Sequence, residues 1–194
     1  MIQNKIVYKN DLKAFGINQN VFNQNISTNI FLESGHSKLP EILVLSSYPP
    51  RECGIATYSQ DLIIALKNKF KGSFKISVCA LETDFEKHLY PEKVKYVLNT
   101  DQATEFDSLA EKINENAAIE MVFIQHEFGL FAKNEIAFQE FLDALKKPIV
   151  MVFHTVLPRP DIAFLVKVQK LIAACKAIIV MTISSAKILE SDYK

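Results

Sequence analysis

Beyond residue 40 the chain carries six short apolar runs: ILVLSS (42–47), FKISVCAL (74–81), VKYVL (94–98), MVFIQ (121–125), PIVMVFH (148–154) and AIIVMT (177–182). They are continuous rather than alternating, the pattern of parallel strands covered on both faces. Amphipathic stretches at helical spacing separate most of them. Tyr58, Leu62, Ala65, Leu66 and Phe70 share one face, and Phe106, Leu109, Ala110 and Ile113 share another. Two more helices are predicted over 134–146 and 161–176, and a short one over 184–193. Residues 82–93 read as a loop. The order β-α-β-β-α-β-α-β-α-β-α predicts an α/β fold: a doubly wound, Rossmann-like parallel sheet of about six strands with helices on both faces.

Residues 1–40 differ. They are rich in asparagine and glutamine, lack sustained periodicity and end in ESGHSKLP. They read as a leader, partly disordered or packed on the surface, before a single domain over 41–194. The whole length of 194 residues suits one compact domain and falls short of two.

Composition narrows the function. Lysine plus arginine equals aspartate plus glutamate at 22 each, so no basic imprint points to nucleic acid. Lys67, Lys69 and Lys71 cluster at one helix end, where they complement the helix dipole. Cys53, Cys79 and Cys175 are far apart, which argues against a disulfide framework and a structural zinc site. Cys79 reads as core. The chain shows no signal peptide and no transmembrane run, so a cytoplasmic setting is expected.

Ligands of such sheets sit outside the carboxyl ends of the strands, where strand order reverses. The segments that fall there are SYPPRECGIATYSQ, QHEFGLFAKN, HTVLPRPD and TISS. In the first, Gly54 precedes a helix whose start carries Thr57 and Gln60, a capping-box pattern. Small Gly54 and Ala56 would let an anion approach the N–H groups of the helix end. The alternative is that Gly54 merely permits an unusual turn. Dinucleotide and Walker A fingerprints are absent, and Glu82 alone is a weak stand-in for a ribose-binding acid. His126 and Glu127 follow the fourth run, either as sugar or phosphate contacts or as a local ion pair. His154 ends the fifth run, as a crevice residue or a satisfied core histidine. His126, Glu127 and His154 match no metal motif, and no catalytic metal is expected.

SSYPPRECGIATYSQDL, FIQHEFGLF, VMVFHTVLPRP and AIIVMTISSAKILESDY, in this order, resemble the N-terminal domain of family 4 glycosyltransferases over about 41–194. The resemblance implies a GT-B enzyme, two Rossmann-like domains facing a cleft, that transfers a sugar from a nucleotide-sugar donor to a hydroxyl acceptor with retention. The N-terminal domain mainly takes the acceptor. It implies that His154 contacts the transferred sugar, that Gly54 lies near donor phosphate, and that Gln125, His126 and Glu127 line the cleft. Arg51 stands where a cation would meet phosphate or an anionic acceptor. Relatives often carry two adjacent glycines where this chain has Cys53 and Gly54. The C-terminal, nucleotide-holding domain of the family has no counterpart within these residues, so the chain alone is expected to be inactive. No cofactor beyond the donor substrate is implied. Two other readings remain: half of a GT-B sugar-nucleotide epimerase, and a non-catalytic half-domain that binds a sugar or a partner. A response-regulator receiver lacks its paired acids here.

Overall fold

The computed structural model describes residues 6–8 and 39–193. Its strands are β1 (Ile6–Tyr8), β2 (Glu41–Ser46), β3 (Lys75–Glu82), β4 (Val94–Asn99), β5 (Ile119–His126), β6 (Ile149–Phe153) and β7 (Ala177–Val180). Its helices are α1 (Gly54–Phe70), α2 (Ala103–Glu115), α3 (Glu135–Ala144), α4 (Ile162–Ala174) and α5 (Ile183–Asp192), with a 3-10 turn at Phe128–Leu130. All strands run parallel in one sheet of order β1-β7-β6-β5-β2-β3-β4. This is the doubly wound α/β architecture that the apolar runs predict.

Among the described residues the sheet has seven strands, where the apolar runs predict about six. The extra one, β1, comes from within the stretch read as a leader and pairs with β7 through Ile6–Ile178, Val7–Ile179 and Tyr8–Val180. An Ile-Val-Tyr triplet has strong strand propensity but is too short to register as a run. The remainder of the leader reading falls on residues 1–5 and 9–38, outside the described residues.

Burial on both faces explains the unbroken apolar runs. Leu43 and Leu45 join one core cluster, and Val44 between them joins the other. The first cluster packs beneath α2, α3 and α4, with Phe106, Phe138, Phe141 and Val168 fully inside. The second packs against α1 through Ile63, Leu62 and Leu66. In α2 the buried residues are Phe106, Leu109, Ala110 and Ile113, as the spacing predicts. In α1 the inward face is Ala56, Ser59 and Ile63, while Ala65 is exposed. The α1 stripe is therefore rotated from the one the sequence suggests.

One buried charge ties β2, β3 and β4 together near their amino ends. Glu41 is 2% exposed and accepts from Ser77 Oγ and, at 2.5 Å, from Lys95 Nζ. A carboxylate removed from water in this way needs both partners. Residues 83–93 form the expected loop, which the strand residue Glu82 braces by accepting from His88 N at 2.7 Å through Oε1. Glu82 is thus committed to its own loop. No helix of the described residues is long and apolar enough to cross a membrane.

Candidate functional site

Strand order reverses between β2 and β5. The chain leaves β2 toward β3 through α1 on one face, and leaves β5 toward β6 through α3 on the other. Connections that diverge in this way open a crevice at the carboxyl ends of the two strands. The residues that border it are those following Ser46 and those around Gln125.

On the β2 side the loop folds back so that α1 begins over the strand end. Ser46 Oγ and Ser59 Oγ lie 2.6 Å apart, both fully buried, pinning the helix to β2. Cys53 is the N-cap. Its sulfur accepts from Ala56 N at 3.4 Å and lies 3.1 Å from Ser47 Oγ. The capping box expected from Thr57 and Gln60 is absent, because the helix starts one turn earlier and Thr57 lies within it. A thiol here does the work usually done by a Ser, Thr, Asp or Asn oxygen.

Gly54 is the first residue of α1, and its φ is not positive. A Cβ built on it meets nothing within 4 Å. The turn explanation therefore fails, since the backbone there is one that any residue adopts. What the glycine leaves is open space beside a helix N-terminus. Ala56 is fully buried and leaves the approach to Gly54 alone.

On the β5–β6 side, His154 Nε2 and Gln125 Oε1 are 2.7 Å apart. With the amide oxygen accepting, Nε2 carries the proton and Nδ1 is left as an acceptor. Burial lowers the His154 pKa, opposed in part by the Glu127 carboxylate, so the ring is neutral at pH 7. Tyr58 of α1 meets the imidazole edge-on at 5.2 Å between centroids. Gln125 is fully buried, and its Nε2 has no partner among the described residues. An unpaired amide donor of this kind costs about 1–3 kcal/mol and marks a place where a ligand oxygen or water fits.

Glu127 caps the 3-10 turn by accepting from Phe128 N at 3.1 Å, and Thr155 Oγ1 donates to it at 2.6 Å. It forms no ion pair with His126. That histidine lies on the opposite sheet face from Gln125, as side-chain alternation along β5 requires. Its ring centroid is 4.8 Å from Phe128, 5.7 Å from Phe131, 5.8 Å from Phe138 and 5.1 Å from Phe153. Burial pushes its pKa down to about 3, with Lys167 and His154 adding to the effect. His126 is removed from the crevice it was expected to line, because the strand pleat turns it into the aromatic core.

Arg51 is also placed differently. Its Nη2 pairs with Glu86 at 2.7 Å and its Nη1 donates to Leu81 O at 3.4 Å. Both groups hold the guanidinium toward the loop after β3, where it borders a cavity of about 210 Å³ with Thr83, Asp101, Gly129 and Lys133. Its charge is matched rather than free for phosphate.

The structure thus brings together Gln125, Glu127 and His154, sets Gly54 across the strand-order reversal from them, and separates off His126 and Arg51. Tyr58 and Thr155 were missed as site residues. Tyr58 read as part of the helix core stripe, and Thr155 gave only its position next to His154 as a signal.

The fold is that of a doubly wound α/β domain whose strand order reverses between β2 and β5. No protein-family model matches the chain, and no curated protein matches it. Among solved structures it is similar to an alpha-glucosyltransferase in complex with UDP-glucose and DNA containing an abasic site, at 12% identity over 72% of this chain and 35% of that one, with a TM-score of 0.47. It is similar also to an alpha-glucosyltransferase in complex with UDP and a 13-mer DNA containing a central A:G mismatch. That match has 10% identity, 74% and 37% coverage and a TM-score of 0.47. The chain spans little more than a third of their length.

Proposed function

We propose that this domain is the acceptor-side half of a two-domain glycosyltransferase that moves a sugar from a nucleotide-sugar donor to a hydroxyl acceptor with retention. The observation that carries the reading is the Gln125–His154 pair beside the reversal point of the sheet. The ordered likeness of the Gly54, Gln125 and His154 segments to family 4 glycosyltransferases supports it.

In this reading the neutral His154 contacts hydroxyls of the transferred sugar through Nδ1, while Gln125 fixes its tautomer. Glu127, held by Thr155, keeps the loop beside it in place. The open N-terminus of α1 at Gly54 faces the diphosphate, where helix-end N–H groups offset charge that grows on the leaving group. Arg51 joins in only if its pair with Glu86 opens. A facing domain supplies the contacts to base and ribose and closes the site against water.

His154→Ala in a polypeptide containing this domain and its donor-binding partner tests the proposal. Turnover should fall by about 100-fold or more while the thermal unfolding midpoint barely moves. Unchanged turnover would remove His154 from the reaction and leave a non-catalytic binding half-domain as the better reading.

A further inference from the structure

The sheet face turned away from α1 carries a second depression. Between α3 and α4 lies a groove of about 560 Å³. Phe128, Phe131, Phe138 and Phe164 wall it, and the imidazole of His126 lines it. At its mouth Ile136 is 77% exposed and Val166 42% exposed, apolar side chains that face solvent. Sites for small organic molecules are typically about 300–1,000 Å³, mostly apolar, with a few polar groups that set orientation.

The polar group here is His126. Its side chain is 2% exposed, and its Nδ1 is buried without a hydrogen-bond partner among the described residues. Four phenyl rings surround it, so no neighbouring side chain meets this need. A hydroxyl group would, because it both donates and accepts and so suits either imidazole tautomer. The half-buried Phe128 stands edge-on to the imidazole and is the nearest of the four phenyl rings.

Charge selects against anions. Lys167 and Lys170 line the groove against Glu135, Glu140 and Asp161. Lys167 is already paired with Glu135 and lies over the rings of Phe128 and Phe164 at 5.2 and 5.8 Å. With three carboxylates against two ammonium groups, the lining carries no net positive charge to draw a carboxylate or phosphate.

We propose that this groove binds a neutral, hydroxyl-bearing aromatic ring compound, its ring among the phenylalanines and its hydroxyl on His126. The site lies on the opposite side of the sheet from His154, and it stands whether or not the sugar-transfer reading does.

Phenol, toluene and benzoate are the probes. Each is titrated into the 194-residue chain while NMR follows the methyl signals of Ile136 and Val166 and the ring nitrogens of His126. Phenol should give saturable shifts, with a dissociation constant on the order of millimolar. It should bind about ten-fold more tightly than toluene, since a site with an unpaired polar group rejects the analogue that cannot pair with it. Benzoate should bind most weakly. His126→Phe should bring phenol to the level of toluene. Ala163→Trp changes an exposed lining residue and fills the groove, so it should abolish all three even if the His126 variant fails to fold. Absent saturation, toluene binding as tightly as phenol, benzoate binding best, or shifts that survive Ala163→Trp would each overturn the proposal.

Discussion

His154 Nε2 and Gln125 Oε1 lie 2.7 Å apart across the β5–β6 boundary, and this bond fixes which nitrogen of the histidine carries the proton. Gln125→Leu keeps a buried side chain of similar bulk but removes the acceptor. It also removes the amide donor that has no partner, so stability should change by no more than about 1 kcal/mol. Loss of an orienting partner typically costs a functional histidine about 10–100-fold. Sugar-transfer kinetics beside urea unfolding check both halves of this expectation. Full activity with a lost Gln125 acceptor would make the bond purely structural.

Gly54→Val should fold. The φ at this position is not positive, and the space a side chain would occupy is empty. The unfolding midpoint should shift by only a few degrees, the effect of about 1 kcal/mol in a domain of this size. Binding of a nucleotide sugar, in contrast, should be lost, because the branched side chain fills the approach to the N–H groups of the first turn. Unchanged binding by calorimetry would leave Gly54 with no role at the helix end.

Acid should destabilise the domain well before its carboxylates titrate. Burial lowers the pKa of His126 to about 3, and that of His154 moves in the same direction. An unfolded histidine titrates near its ordinary value of about 6.5, so the unfolded chain takes up the proton first as pH falls. The stability from neutral burial is complete above about pH 6.5 and is lost on the way down to about pH 3. The slope is about 1.4 kcal/mol per pH unit for His126. Urea unfolding between pH 7 and pH 5 measures it, and His126→Phe should flatten the slope. An identical slope in that variant would mean that His126 is not held neutral.

The fold was legible because both faces of the sheet are covered. Leu43, Val44 and Leu45 are all buried, and only a doubly covered strand gives such a run. The short β1 escaped notice for the converse reason: three residues carry too little pattern to stand out. The carboxyl-end segments were legible as a set, since Gly54, Gln125 and His154 lie at or just past strand ends that the sheet must bring together. Which of two adjacent residues faces the crevice was not. Gln125 and His126 differ by one step of the pleat, and a one-residue slip exchanges the faces. The helix cap was hidden because Cys53 is a rare residue for that duty, while Thr57 and Gln60 offered a familiar pattern one turn too late. The partner of Arg51 was equally hidden, since Glu86 lies in a loop whose path no periodicity predicts.

The central claim is that the crevice between β2 and β5 receives the donor and needs a facing domain to hold it. Titration of the 194-residue chain with a panel of nucleotide sugars tests this most directly, with NMR on the Gly54 amide, the Gln125 side-chain amide and the His154 imidazole, and with an assay for released nucleotide. The account predicts saturable shifts at those three groups, a dissociation constant on the order of millimolar, and no steady release. Shifts that spare Gly54, Gln125 and His154 would contradict the placement of the site, and micromolar binding or steady turnover by the chain alone would contradict the need for a second domain.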